Sequence, residues 1–437
     1  MVSSKEAIEK ISRQGSYRNS REISIAGIPF SMRDILRTAP LIAGLNVYLI
    51  GATGEGKTEL ANDLAGLFGE SFCYMEGRPD FEPSELLKEL NLGRLKTDAS
   101  LTDQDLISLT ENVRKALYYV DELNRAPPIV MNYFFNFFDG KLVHKGKILR
   151  LGKNGYSVGY ASGNIGNGAY VGISDIDRAL KDRMHLIVKL DDPQFCTTEE
   201  DDTAIFQAKK DPRASNPTSD GDCLEEILDL NQAFRERPLP LILPVMGSYF
   251  HKGLDYVEGT ARHSKKAIAQ NWPNGQGIRQ DTDESKIMPL SKRAILATMG
   301  LSQALEMIAE ARGHNVSERS LDFFLDALQF TVPFSGVLAD TYVNQECSGD
   351  AYAAFNGVMA SIRRELNEKQ EAIEVATAYA QFGEQESTLL DKINPLGKEG
   401  RWLPVRRAIE SLARNPSEDP TTLEVIQKEY KKSDVTS

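Results

Sequence analysis

Two stretches of this chain hold residues whose types and spacing could do chemistry. The first is Gly51-Ala52-Thr53-Gly54-Glu55-Gly56-Lys57-Thr58, which reads G-x-x-x-x-G-K-T and runs on into Glu59. Glycines at that spacing allow a tight turn whose backbone N–H groups point at phosphate oxygens. A lysine at the position of Lys57 pairs with β- and γ-phosphates, and a hydroxyl at the position of Thr58 binds Mg²⁺. The second stretch is Asp121-Glu122, two adjacent carboxylates closing the apolar run Leu117-Tyr118-Tyr119-Val120. Downstream of a phosphate loop, Asp121 would complete the Mg²⁺ shell. Glu122 would orient and deprotonate an attacking water, a role worth ~10²–10⁴ in rate. The expected ligand is a nucleoside triphosphate with Mg²⁺, and the expected reaction is hydrolysis.

Both motifs need a frame. Asn46-Val47-Tyr48-Leu49-Ile50 leads straight into the glycine loop as a strand. Leu60, Leu64 and Leu67 fall on one face of the helix that follows, and Gly69 stands where that helix should stop. The helix N-terminus adds its dipole to the anion site. Ser71–Glu76, Lys115–Asp121, Tyr156–Ser162 and Met184–Leu190 are near-continuously apolar, as buried parallel strands tend to be. Strands alternating with helices predict an α/β core with a parallel sheet flanked by helices.

Around the carboxylates, Asp121-Glu122-Leu123-Asn124-Arg125-Ala126-Pro127-Pro128 resembles the D-E-I-N-R-A-P-P signature of MoxR-like AAA+ ATPases, near the dynein-related subfamily. Four further stretches are similar to that family in order and spacing. Pro79-Asp80-Phe81-Glu82-Pro83-Ser84-Glu85-Leu86 matches the segment at the second helix. Tyr160-Ala161-Ser162-Gly163-Asn164 takes the place of the sensor 1 strand end, with Asn167 as a competitor for the Asn164 role. Ala179-Leu180-Lys181-Asp182-Arg183-Met184 resembles the A-L-L-D-R-F that carries an arginine finger. Leu290-Ser291-Lys292-Arg293-Ala294 resembles the L-S-P-R-A of sensor 2.

The resemblance covers roughly residues 25 to 333, with breaks. It implies an AAA+ P-loop core followed by a helical lid, with ATP and Mg²⁺ as cofactors. It implies that Asn164 helps Glu122 hold the water. Arg183, with Arg178 as the alternative, would reach the γ-phosphate of a neighbouring subunit, and Arg293 would contact nucleotide from the lid. It also implies a homo-oligomeric ring, a hexamer, that acts on a client protein, in some relatives together with a von Willebrand A domain partner. Arg125 stands close enough to the acids to contact an adjacent subunit.

The layout that follows has five parts. Residues 1–22 are a polar N-terminal segment, loosely ordered or helical, and 23–193 form the nucleotide-binding core. Residues 194–289 are a linker and insertion, 290–338 the lid, and 339–437 a C-terminal helical region. Pro127 and Pro128 start a helix carrying Phe134, Phe135, Phe137 and Phe138, which Gly140 ends. The run from Lys141 to Leu151 reads as a hairpin whose tip holds Lys145 and Lys147, candidates for touching a client. Glu199 to Asp222 is acidic and dotted with Pro and Ser, so it reads as a linker before a helix over Leu224–Arg237. About 245–288 shows no clear period. In the lid, Leu301, Leu305 and Ile308 share a face with Gly313 at the stop, and Ser317 should cap a helix carrying Leu321, Phe324, Leu325 and Leu328. Val358, Ile362, Leu366, Ile373 and Ala380 predict one long charged helix, Arg401-Trp402-Leu403-Pro404 starts another, and Asp419 or Thr421 a terminal one.

The 437 residues carry 51 Lys and Arg against 63 Asp and Glu, a net charge of −12. A general nucleic-acid footprint is therefore absent, and a nucleic-acid motor driven through Lys145 and Lys147 is the weaker reading. A P-loop kinase or nucleotide sensor is a third. Cys73, Cys196, Cys223 and Cys347 form no C-x-x-C pair and predict buried free thiols in a reducing compartment. The five histidines show no metal spacing. No stretch approaches the ~18 apolar residues of a membrane span, and the N-terminus is unlike a secretory signal, so a cytoplasmic location is expected.

Overall fold

The structure, a computed structural model, describes residues 4–78, 88–90, 107–144, 147–164, 176, 178–208, 222–258, 264–266, 271–275, 277–382 and 386–414. It divides into two units, Met1–Arg237 with Leu296–Gly336, and Pro238–Ile295 with Val337–Ser437.

In the first unit, helix α1 (Ser4–Arg13) and the hairpin β1 (Glu22–Ile25) and β2 (Ile28–Ser31) precede the short helix α2 (Ala39–Ala43). Strand β3 (Val47–Ile50) then delivers helix α3 (Lys57–Phe68), and β4 (Phe72–Glu76) follows. A small pair, β5 (Lys88–Leu90) and β6 (Ile107–Leu109), leads to β7 (Leu117–Asp121) and helix α4 (Pro128–Phe138). The hairpin β8 (Lys141–His144) and β9 (Lys147–Arg150) comes before β10 (Val158–Gly163), helix α5 (Arg178–Lys181) and β11 (Leu186–Lys189).

Five of these strands form one sheet in the order β11-β3-β10-β7-β4, and every pairing is parallel. The side chains of β3, Val47-Tyr48-Leu49-Ile50, are all buried, as expected where helices cover both faces. Strand β10 lies between β3 and β7, with Tyr160 opposite both Val47 and Tyr119. The glycine loop and the paired acids therefore leave the sheet on either side of Asn164. Leu60, Leu64 and Leu67 are buried as their spacing required, and Gly69 ends the helix with φ of 48°. Phe134 and Phe137 enter the core, where Phe137 meets Tyr118 edge-on at 5.1 Å, while Phe135 is only half-buried.

Two parts of the N-terminal region dock on the rest of the first unit. Ile8 and Ile11 of α1 are buried, so the segment is helical and docked. Beyond it, Asp63 of α3 accepts from the backbone of Ser16 (2.6 Å) and Tyr17 (3.0 Å), and pairs with Arg37 at 3.2 Å, both side chains fully buried.

The acidic stretch expected to be a linker instead opens with helix α6 (Glu199–Gln207), because Thr198 and Asp201 form a capping box. Residues 209–221 lie outside the described residues. Helix α7 (Leu224–Glu236) follows as predicted. In the second unit come α8 (Ile242–Ser248), the pair β12 (Tyr256–Val257) and β13 (Ser264–Lys265), and the one-turn helix α9 (Asp283–Lys286). The stretch without a sequence period is thus built of short elements, each below the length at which a period shows. From Leu296 to Gly336 the chain belongs to the first unit again, and helix α10 (Lys292–Ala311) buries Leu301, Leu305 and Ile308. Helix α11 (Ser320–Thr331) starts three residues after the predicted cap: Glu318 is left-handed (φ 68°), and the Ser317 hydroxyl donates to Asn315 instead.

The second unit continues with α12 (Ala351–Asn367), α13 (Gln370–Phe382), α14 (Glu386–Ile393) and α15 (Leu403–Arg414). The single long helix expected across Val358 to Ala380 is two, α12 and α13, yet all five stripe residues are buried. A buried ion pair binds a short element to the C-terminal helices: Arg401 grips Asp283 through two hydrogen bonds of 3.0 and 2.8 Å, and it also reaches the partly exposed Glu365 at 3.0 Å. Tyr249 stacks on Trp402 at 4.4 Å. The predicted terminal helix at Asp419 or Thr421 lies outside the described residues. No helix among the described residues is long and apolar enough to cross a membrane. All four cysteines are free; Cys73 and Cys223 are buried, whereas Cys196 and Cys347, expected buried, are only half so.

Candidate active site

The glycine loop turns sharply between β3 and α3. Gly54 and Gly56 have φ of 97° and 76°, in the left-handed region where a side chain would be strained. Lys57 opens the helix and curls back: its Nζ donates to the carbonyls of Gly51 (2.8 Å) and Ala52 (2.7 Å) and to Asn164 Oδ1 (2.9 Å). Burial pulls the Lys57 ammonium below its usual range, while Asp121 and Asp191 oppose that. Thr58 is exposed, and Glu59 accepts from the Ser16 hydroxyl, a contact with the N-terminal segment. Burial, then Asp191, push the Glu55 carboxyl up.

Asn164 is held from behind. Asn124, itself buried, donates from Nδ2 to the Asn164 carbonyl and accepts from the Asn164 N–H at 3.3 Å. A side chain at Gly163 would strike the Tyr48 hydroxyl at 2.1 Å and Asn124 Oδ1 at 2.9 Å, so the strand end needs a glycine. Asn167 lies outside the described residues.

The two acids are joined through Ser162. Its buried hydroxyl donates to Asp121 Oδ1 and accepts from the Glu122 N–H at 3.0 Å; that N–H also reaches Asp121 Oδ1 at 3.1 Å. Glu122 has φ of 50°, an uncommon left-handed position for a residue with a side chain, of the kind that clusters at functional sites. Its carboxylate pairs with Arg125 at 2.7 Å. Burial raises the Glu122 carboxyl above its usual value, against the pull of Arg125.

Lys57, Asn164, Asp121 and Glu122 are therefore brought together. A cation, a polar amide and two acids at the N-terminus of α3 suit a polyanion and a nucleophilic water. A hydroxyl (Thr58) with a carboxylate (Asp121) is a hard-oxygen set that fits Mg²⁺ shared with phosphates. Among the described residues no three His, Cys, Asp or Glu side chains converge into a self-contained metal cage.

Of the other expected residues, Arg183 and Arg178 belong to the first unit. Arg183 pairs through Nε with Asp139 Oδ1 at 3.1 Å, donates to the Ala179 carbonyl at 2.8 Å and lies 4.4 Å from the Phe135 ring centroid. Arg178 is exposed. Arg293 is half-buried near the start of α10, in the second unit. Lys147 is exposed on β9 beside Ile148, which is 70% exposed; Lys145 and the stretch Pro79–Leu86 lie outside the described residues.

Several contributors carry no signal in the sequence. Asp191, one residue past Leu190, accepts from the Ala52 N–H at 3.3 Å, and its buried Oδ1 has no hydrogen-bond partner. Tyr17 lies under the loop, 3.1 Å from where a side chain on Gly56 would begin. Asn124 was visible only as a letter of the D-E-L-N string, without its role.

A parallel sheet in this order, with a phosphate loop on β3, acids on β7 and an asparagine on β10 between them, is an AAA+ P-loop core, here with a helical extension. Residues 46–184 match the family described as the AAA domain (dynein-related subfamily). A crystal structure from Cytophaga hutchinsonii ATCC 33406, described as a candidate ATPase, shares the fold with a TM-score of 0.51 and 14% identity over 75% of this chain and 86% of that one. No curated protein matches the chain.

Proposed function

We propose that this chain is an ATPase of MoxR type that works as a subunit of a homo-oligomeric ring, a hexamer, to remodel, assemble or activate a partner protein. The hydrogen bond from Lys57 to Asn164 carries the reading, because it sets the phosphate loop against the sensor strand within reach of the paired acids. In this reading Gly51 to Thr58 cradle the phosphates, and Lys57 neutralises the β- and γ-groups. Thr58 and Asp121 hold Mg²⁺, which when bound draws charge off the phosphates. Asn164 and Glu122 fix the water, and Glu122 takes its proton. Arg183 or Arg178 serves a neighbour's site, Arg293 senses nucleotide from the lid, and Lys145 with Lys147 meets the client. A von Willebrand A domain protein is the proposed companion.

Glu122→Gln tests the reading. The variant should bind ATP as the parent does while phosphate release falls by ~10²–10⁴. In the parent, specific activity should climb with protein concentration as rings assemble. Full turnover by a dilute monomer would remove the ring from the proposal. Hydrolysis stimulated by DNA would favour a nucleic-acid motor, and transfer of phosphate to an acceptor a kinase.

A further inference from the structure

Tyr74 is a large aromatic residue on β4, the edge strand of the sheet, and it is 50% exposed. Its neighbours Cys73 and Met75 point into the core, as strand alternation requires. Parallel register sets Tyr74 opposite Tyr119 and Glu76 opposite Asp121. Tyr74 is thus the diagonal neighbour of Asp121 on the same face, a separation that only a long side chain can bridge. It does so: the Tyr74 hydroxyl donates to Asp121 Oδ2 at 2.8 Å. Its ring lies flat on that of Tyr119, centroids 6.0 Å apart and planes within 6°, and the Tyr119 hydroxyl donates to the Lys57 carbonyl at 3.2 Å.

The donors on Asp121 divide unevenly. Among the described residues, Oδ1 receives the Ser162 hydroxyl and the Glu122 N–H, and Oδ2 receives only Tyr74. A carboxylate offers about four acceptor sites, so the one left is on the oxygen that Tyr74 holds. The stack on Tyr119 could be made as well by phenylalanine. Only the hydroxyl acts on the acid.

We propose that Tyr74 is a positioning residue for the metal-site acid: its phenol fixes Asp121 Oδ2 and with it the direction of the acceptor left for the cation. This rests on the reading of Asp121 given above. Hydrogen-bonded partners of this kind orient a ligand, and losing one typically costs ~10–100-fold in metal affinity.

Tyr74→Phe keeps the ring and deletes the hydroxyl. With Mn²⁺ as the probe, titrated against full-length chain and ADP and followed by electron paramagnetic resonance, the variant should bind Mn²⁺ at least ~10-fold more weakly. Its ADP affinity in EDTA should match the parent's. Mn²⁺ affinity equal to the parent's overturns the proposal. So does a matching loss of ADP affinity in EDTA, which would make Tyr74 a support of the loop. Failure of the parent itself to bind Mn²⁺ with ADP would remove the metal reading of Asp121 as well; an unchanged variant beside a binding parent removes only the role of Tyr74.

Discussion

Lys57 and Asn164, 107 positions apart, are joined by a 2.9 Å hydrogen bond from the ammonium to the amide oxygen. The cation is thereby shared between the loop that would bind phosphates and the strand that would order water. Replacing each residue should separate those duties. Lys57→Ala should weaken ADP binding by roughly 10–100-fold, the worth of a charged hydrogen bond. Asn164→Ala should keep ADP affinity and lower turnover by about 10²-fold, as loss of one aimed polar group does. Equilibrium binding and phosphate release, measured on both, check this. Equal losses of ADP affinity would make Asn164 part of the loop's scaffold.

Arg183 is committed to Asp139 and Phe135 within its own chain, whereas Arg178 is exposed. If Arg183 serves a neighbouring subunit, Arg183→Ala should abolish turnover, and mixing it with Glu122→Gln protein should restore part of it in hybrid sites. If the contacts to Asp139 are its whole role, Arg183→Ala and Asp139→Ala should lose similar stability, and Arg178→Ala should be the variant rescued by mixing. Turnover of the three mixtures, beside their melting curves, decides between the two arginines.

Asp63 is a buried hub that holds Arg37 and the backbone of Ser16 and Tyr17. Asp63→Ala leaves the Arg37 guanidinium buried without its counter-charge, which should cost about 3–5 kcal/mol. Chemical denaturation should show that loss. Because the same carboxylate anchors the segment under the glycine loop, proteolysis near Gly15 should accelerate in the variant.

Lys266 is buried, and its ammonium donates to the carbonyls of Asp283 (3.2 Å) and Ile287 (2.9 Å). Burial pulls its pKa down to about 8 from the ordinary 10.5. The unfolded chain therefore binds the extra proton between those values, so this residue's cost is full below pH 8 and is relieved as pH rises toward 10.5. Lys266→Met should flatten that part of the rise in stability, by up to roughly 3 kcal/mol across the window. Unfolding midpoints at pH 7 and 9.5, parent against variant, measure it; equal slopes would refute the assignment.

The linear order of residues was enough for whatever depends on neighbours along the chain. The G-x-x-x-x-G-K-T string, the apolar strand before it and the leucine face after it are local, and they became β3, the loop and α3. The run ending in Asp121-Glu122 became β7 for the same reason. Local patterns misled where a competing local feature was stronger, as when the capping box of Thr198 and Asp201 turned a presumed linker into a helix. They were silent where elements were too short to show a period, as in β12, β13 and α9.

Tertiary structure alone decided how the chemistry is supported. The placing of Asn164 between loop and acids follows from β10 entering the sheet between β3 and β7. The reach of Tyr74 to Asp121 follows from the register of β4 on β7, and the burial of Asp63 with Arg37 from the docking of a segment almost fifty positions upstream. A side chain's partner across a sheet is chosen by strand order and register, which come from burying the whole core at once. No window of sequence contains that choice.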